Sequence, residues 1–175
     1  MKSTAPRSIH PSEAKPPAGH YSPGVICNGL LFVSGQLPID AISGAHESGP
    51  IEAQTELVLR NLDRILQAAG SRREWVVQTT VYMADVKFWD QINAVYATFF
   101  GEHRPARVVV PTPPLHHGFL IELAAVAWVD SDDFHKESTL TATNQSPATA
   151  ENLAPGEVIE AVVDESADSA GDVGG

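Results

Sequence analysis

The runs PARVVV (105–110) and LIELAA (120–125) each predict a β-strand, because β-branched and aliphatic residues dominate them. Each run carries one charge, Arg107 in the first and Glu122 in the second. A charge inside an apolar strand is costly unless it is paired or used, since removing it from water is expensive. Because a short turn of Pro, His and Gly residues joins the two strands, we expect Arg107 and Glu122 to form one site.

The acidic charge of the chain is concentrated near its end. The formal net charge is −11, yet residues 130–175 hold eleven acidic residues against one lysine, and residues 1–129 are close to neutral. A nearly neutral domain without a basic cluster argues against a nucleic-acid surface. No apolar run is long enough to span a bilayer, and we expect no secretory signal in residues 1–20. The single cysteine, Cys27, excludes internal disulfides and suits a reducing compartment, so the expected location is the cytoplasm.

Composition divides the chain into three parts. Residues 1–20 are rich in Pro, Ser and Ala and predict an N-terminal extension that is disordered or in an extended conformation. Residues 21–129 carry the periodic patterns of one folded domain. Residues 130–175 predict a disordered acidic tail, because they contain too little apolar area to offset the entropy lost on ordering. A few aliphatic residues around 159–163 leave open a weak interaction motif in this tail.

Strand and helix patterns alternate within the domain. Asn28-Gly29 between two apolar runs predicts a β-hairpin. Helical spacing predicts one helix over 51–69 and a second helix that begins behind Asp85 and reaches Phe99. The remaining apolar runs predict strands at 75–83, 105–110 and 119–129, the last being apolar on both faces as in a covered central strand. This order predicts an α+β or mixed domain with helices packed on one sheet.

Other residues that carry chemistry have weaker patterns around them. Cys27 in an apolar strand is expected to be a small core residue rather than a nucleophile. His116 and His117 are adjacent, so in an extended chain their side chains point apart and do not share a metal. A turn role is expected for them, with one histidine overhanging a pocket as the alternative. Gly35 inside a strand predicts a close backbone approach or a bulge. The sequence has no nucleotide-binding or serine-hydrolase motif.

The domain also matches a known family block by block. The matching blocks, in chain order, are Tyr21-Ser22-Pro23, Phe32-Val33-Ser34-Gly35-Gln36-Leu37-Pro38, Gln54-Thr55, Asn61-Leu62, Ala68-Ala69-Gly70, Val81-Tyr82, Phe88, Asn93-Ala94-Val95-Tyr96, Phe99-Phe100, Pro105-Ala106-Arg107 and Ile121-Glu122-Leu123. Residues 21–129 thereby resemble the RidA (YjgF-type) family of enamine/imine deaminases. No single block is specific, and the ordered set carries the resemblance.

The resemblance implies a chorismate-mutase-like α+β subunit in which two helices pack on one face of a mixed sheet. It further implies a homotrimer with a pocket at each subunit interface. The implied reaction is the hydrolysis of 2-imino or enamino acids to 2-keto acids and ammonia, without a metal or an organic cofactor. The expected partners are the small-molecule substrate and identical subunits, and neither nucleic acid nor a membrane.

The two charged residues match the reacting positions of the family. Arg107 matches the arginine that holds the substrate carboxylate, which a guanidinium can grip through two parallel hydrogen bonds. The alternative is a salt bridge to an acidic residue at the subunit interface. Glu122 matches the catalytic glutamate, which would hold a water against the imine carbon and move protons between water and nitrogen. The alternative is that Glu122 only neutralises Arg107.

Four further residues match positions that line the family's pocket: Tyr21, Ser34, Gly35 and Asn93. Ser34 and the backbone at Gly35 are expected to hydrogen-bond the substrate or a bound water, and Tyr21 is expected to cover it. Without the resemblance, a serine before a glycine indicates turn chemistry, and a helical asparagine indicates a local backbone hydrogen bond.

The chain departs from the family at four places, one of which is the segment between Phe100 and Pro105, short relative to some members. Val109 stands where many members carry a cysteine, and Ala124 stands where a second glutamate commonly follows the catalytic one. The turn at 113–118 replaces the usual one. These changes bear on the substrate and leave two alternatives to a general imine deaminase: a specialised aminomuconate-type deaminase, and a non-catalytic trimer that binds 2-keto acids.

Overall fold

A six-stranded mixed sheet organises the chain. The computed structural model describes residues 5–113 and 115–130. The strands are β1 (Arg7–Ile9), β2 (Gly24–Cys27), β3 (Leu30–Gln36), β4 (Val76–Met83), β5 (Ala106–Pro111) and β6 (Ile121–Trp128). Their order across the sheet is β1-β2-β3-β6-β4-β5. The β4–β5 pair is parallel and the other pairs are antiparallel. Strand β6, predicted to be central, lies between β3 and β4.

Two helices, α1 (Ile51–Ala68) and α2 (Trp89–Phe100), cover one face of this sheet. Helix α2 provides the crossover that a parallel pair such as β4–β5 requires. Apolar side chains at helical spacing, among them Val58, Leu62 and Ile92, pack with the inward residues of the strands in one core. The predicted α+β fold, with two helices on one face of a mixed sheet, is confirmed.

The other face of the sheet is open within the described chain. Along β6, buried residues alternate with Glu122, Ala124 and Val126, which are half-buried. The large apolar side chains that this side exposes are Phe32, Val77, Val108 and Trp128. The sequence predicted that both faces of β6 are covered. Within the described residues, the helices cover one face and the other face is open.

The predicted disorder of residues 1–20 is wrong for residues 5–20. Arg7–Ile9 forms β1, which pairs antiparallel with β2, and Ile9 is buried. Farther on, the backbone N–H of Lys15 donates to the carbonyl of Ala41 at 2.8 Å. Three residues carry too little alternation to indicate a strand, and the order of this segment comes from hydrogen bonds to distant parts of the chain.

The predicted acidic tail lies, apart from Asp130, outside the described residues. Neither helix of the described chain combines the length with the apolar character that a membrane crossing requires.

Candidate active site

Arg107 lies on the edge strand β5, on the face of the sheet that the helices cover. Its Cα pairs with that of Thr79, whose side chain is fully buried on the same face. The Nη1 group of Arg107 donates a hydrogen bond of 3.1 Å to Oδ1 of Asn93 on α2. Among the described residues the guanidinium has no other hydrogen-bond partner and no ion-pair partner. Its remaining N–H groups are therefore available to a carboxylate.

Two aromatic rings of α2 also meet the guanidinium. The Cζ atom of Arg107 lies 4.7 Å from the ring centroid of Tyr96 and 5.5 Å from that of Trp89. Trp89, Asn93 and Tyr96 are spaced i, i+4, i+7 and share one face of the helix. Neither aromatic residue was among the predicted site residues. Their helical spacing from Asn93 is the feature of the sequence that could have identified them.

Glu122 lies on β6, on the open face of the sheet. Its Cα pairs with that of Tyr82 on β4, and both side chains are half-buried. Desolvation raises the pKa of the Glu122 carboxyl. Within the described residues this carboxylate has no hydrogen-bond or ion-pair partner. A partly desolvated carboxylate without a partner is suited to accept a proton and return it.

Gly35 lies directly against the Glu122 carboxylate. A Cβ atom at position 35 would lie 2.9 Å from Cδ of Glu122 and would overlap its Oε1 atom. The pairing register of β3 with β6 also shifts between Val33 and Gln36. Both features predicted for Gly35, a close approach and a bulge, are confirmed. Any side chain at this position would displace the carboxylate.

Tyr21 and Ser34 lie at the same end of the sheet as Gly35. The Ser34 hydroxyl donates to the carbonyl of Ser22 at 2.7 Å, so its proton is already engaged while its oxygen keeps acceptor capacity. Tyr21 is 54% exposed. The chain thus groups Tyr21, Ser34, Gly35 and Glu122, and of these Gly35 and Glu122 are in direct contact.

A cavity of about 350 Å³ adjoins this group. Its walls include Tyr21, Gly35, His46 and His117, together with residues 14–18 of the N-terminal segment. This volume lies in the ~300–1,000 Å³ range of small-molecule sites. Residues of α1 also line the cavity, whereas Ser34 and Glu122 do not, so of the four grouped residues it meets only Tyr21 and Gly35. The segment expected to be a disordered extension therefore forms part of the wall of this cavity.

The structure separates the two charged residues that were predicted to converge. Arg107 pairs with Thr79 of β4, and Glu122 pairs with Tyr82 on the other side of the same strand. Positions 79 and 82 point to opposite faces of the sheet, and strand geometry puts the Arg107 and Glu122 Cα atoms roughly 14 Å apart. The prediction that one chain brings them into one site is wrong. The alternative that Glu122 neutralises Arg107 within the chain fails for the same reason.

Each charged residue instead anchors a separate group. We call Arg107 with Asn93 the arginine half-site, and Glu122 with Tyr21, Ser34 and Gly35 the glutamate half-site. Sequence periodicity could not reveal this division, because the face that each residue occupies depends on its register with β4 between them.

The turn role expected for the two adjacent histidines is confirmed, whereas the expectation that their side chains point apart is wrong. His116 and His117 form a short 3₁₀ turn with Gly118, and His117 has a left-handed φ of 58°. Their ring centroids lie 3.8 Å apart, and those of His46 and His117 lie 4.7 Å apart. Desolvation, together with the neighbouring His116 and His46, lowers the pKa of His117. The described ranges contain no group of three side chains placed to hold a metal ion.

Comparisons with known proteins agree with this fold. The sequence model of a family described as Endoribonuclease L-PSP matches residues 12–129 and so begins inside the predicted extension. A RutC family protein of Pyrococcus horikoshii is 41% identical over 120 residues, which cover 69% of this chain and 95% of that protein. The 2-iminobutanoate/2-iminopropanoate deaminase of Homo sapiens is 35% identical over 127 residues, covering 73% of this chain and 93% of that enzyme.

A solved structure of a family member has the same fold. The crystal structure of a protein of the conserved Rid family from Yersinia pestis matches with a TM-score of 0.69 at 35% identity, covering 71% of this chain and 100% of that chain. The resemblance read from the sequence blocks is confirmed: the chain belongs to the Endoribonuclease L-PSP family, the family of the Rid (YjgF-type) and RutC proteins.

Proposed function

We propose that this protein hydrolyses 2-imino and enamino acids to 2-keto acids and ammonia, as a cytoplasmic homotrimer that uses neither a metal nor an organic cofactor. The observation that carries the proposal is the Glu122 carboxyl: half-buried, raised in pKa, unpartnered among the described residues and packed against Gly35. Such a group has the properties of a general acid–base. The human relative named for 2-iminobutanoate/2-iminopropanoate deamination, at 35% identity, supports the same reaction.

The two half-sites meet, in this proposal, across the interface between two copies. Arg107 and Asn93 of one copy face Tyr21, Ser34, Gly35 and Glu122 of the next. The open face of the sheet supports association, because Phe32, Val77, Val108 and Trp128 present a row of exposed apolar side chains there. Each half-site alone lacks one of the two charges that the reaction needs.

The chemistry divides between the half-sites. The guanidinium of Arg107 holds the substrate carboxylate through two parallel hydrogen bonds and thereby fixes the imine carbon. Glu122 takes a proton from a water as the water oxygen adds to the carbon of the protonated imine, and the C=N π electrons move to nitrogen, which gives a neutral carbinolamine. Glu122 then returns that proton to the nitrogen. The hydroxyl proton passes back to the Glu122 carboxylate as the carbonyl forms, and the C–N bond breaks with its electron pair leaving on ammonia. The products are the 2-keto acid and ammonia.

A coupled assay with freshly generated 2-aminoacrylate tests the proposal. The wild-type protein is expected to accelerate pyruvate release. Glu122→Gln should reduce this acceleration at least about a hundredfold, as loss of a general acid–base does. Arg107→Ala should reduce it by a similar factor, because the substrate carboxylate loses two charge-assisted hydrogen bonds. Glu102→Gln, at an exposed glutamate outside both half-sites, is the matched control and should keep wild-type activity. Binding of 2-oxobutanoate without any acceleration would refute the deaminase and leave a keto-acid-binding trimer.

A further inference from the structure

The side chain of Arg107 rests on a platform built by one face of α2. Asn93 accepts its hydrogen bond, and the rings of Tyr96 and Trp89 lie within 4.7 and 5.5 Å of the guanidinium carbon. An arginine on an edge strand has a long side chain with many rotamers, so its orientation needs outside support. Two ring faces and an amide oxygen, all from one face of α2, supply that support.

Tyr96 is the member of the platform that is fixed to the sheet. Its hydroxyl lies 2.9 Å from Oγ1 of Thr79, and Thr79 is fully buried on β4. Tyr96 itself is 8% exposed and packs against Phe100, with ring centroids 4.5 Å apart. Since Thr79 is also the register partner of Arg107, the same strand pair fixes both the backbone of the arginine and the ring beneath it.

We propose that Tyr96, locked by Thr79, is a positioning residue that orients the Arg107 guanidinium for the incoming carboxylate. This inference rests on the proposed function. The ring holds the guanidinium in one orientation before the ligand arrives, and the free N–H groups are thereby presented together. Pre-organisation of this kind reduces the entropy lost when the carboxylate binds. Trp89, which is largely exposed, supports the guanidinium from the rim without a comparable anchor.

Two substitutions distinguish the contribution of the Tyr96 ring from that of its hydroxyl. Tyr96→Phe removes only the bond to Thr79, and the dissociation constant of 2-oxobutanoate, measured by calorimetry, should rise about threefold. Tyr96→Leu also removes the ring face, and the constant should rise about tenfold. Because the carboxylate is held equally in the ground and transition states, KM should rise by the same factors while kcat changes little.

A control variant distinguishes positioning from general loss of packing. Val95→Ala removes a half-buried side chain from α2 that does not touch Arg107, and should lower Tm without changing the dissociation constant. If Val95→Ala weakens binding as much as Tyr96→Leu, or if Tyr96→Leu binds like the wild type, the proposal is overturned. Should Tyr96→Leu fail to fold, Tyr96→Phe and Thr79→Val, which both remove the bond and keep the ring, are each compared with Val95→Ala, and an unchanged dissociation constant in both overturns the proposal.

A second readout does not depend on the reaction. The Nε–Hε group of Arg107, assigned in the NMR spectrum by Arg107→Lys, should show high order in the wild type and lower order in Tyr96→Leu. Equal order in both proteins would refute the positioning role. A wild-type protein that releases no keto acid would refute the proposed function instead, and the NMR comparison would still decide the role of Tyr96.

Discussion

Glu122 is the residue whose ionisation should govern the pH response of this protein. Desolvation raises its pKa in the folded state, so folding favours the neutral carboxyl. The stability gained from the neutral form is complete below the unfolded pKa and is lost as the pH rises through the folded pKa. We therefore expect Glu122→Gln to raise Tm relative to the wild type at about pH 8, with the difference vanishing near about pH 4. A constant difference in Tm across this range would contradict the assignment.

The activity should also depend on the ionisation of Glu122, but it should increase as the pH rises, whereas the stability decreases. The ionised carboxylate is the form that accepts the proton of water, so kcat, measured with the substrate carboxylate bound to the opposing Arg107, should fall as the pH drops through the raised pKa of Glu122. The midpoint of this limb should lie above the ordinary value for glutamate, about 4.3. A pH–rate profile with its acidic limb at or below that value would argue against Glu122 as the base.

The close contact between Gly35 and Glu122 allows the effect of a single methyl group at position 35 to be predicted. Gly35→Ala places a Cβ against the Glu122 carboxylate and should reduce kcat/KM at least about tenfold, because a displaced base loses its alignment. Gly49→Ala is the matched control: its Cβ also meets a glutamate oxygen, that of Glu47, but on a surface loop where the side chain can move away. Equal activity of the two variants would show that Gly35 does not position the carboxylate.

Among the elements, α1 fixes the start of β6 through a buried glutamine. Gln54 accepts a hydrogen bond from the N–H of Leu120 and donates to the carbonyl of Gly49, both at 2.9 Å. Gln54→Leu strands these two backbone groups and should lower the free energy of unfolding by about 1–3 kcal/mol in urea titrations. Gln67→Leu, on the exposed side of the same helix, should change it by less than about 0.5 kcal/mol. Equal losses would show that the Gln54 bonds do not stabilise the fold.

The sequence predicted the elements whose pattern is local and repeated. Helix α1 was found within one residue of its bounds because apolar residues recur at helical spacing over five turns. Strand β1 and the bulge in β4 between Val76 and Gln78 were not predicted, since both arise from pairing with a distant strand. The same limit explains the site: the types of Arg107 and Glu122 indicated chemistry, but their faces follow from a register that periodicity does not contain.

For the whole molecule, the trimer and the interfacial site proposed above predict complementation. Arg107→Ala and Glu122→Gln should each be inactive alone, because every site then lacks one charge. Trimers refolded from an equal mixture should recover about a quarter of wild-type activity, since one interface in four pairs an intact arginine with an intact glutamate. Mixing Arg107→Ala with the double variant Arg107→Ala/Glu122→Gln is the control and should restore nothing. Mixed trimers that stay inactive would place both charges of the site in one copy.

Arg107 and Glu122 face away from each other across one sheet, so under the proposed mechanism a solitary chain holds no complete reaction centre. Turnover per molecule should then depend on abundance. Diluting the protein below the concentration at which copies associate would abolish the catalytic activity, although every chain would stay folded. Near that concentration, halving the amount of protein would remove more than half of the proposed activity, and the amount of polypeptide would itself act as a steep control on the reaction.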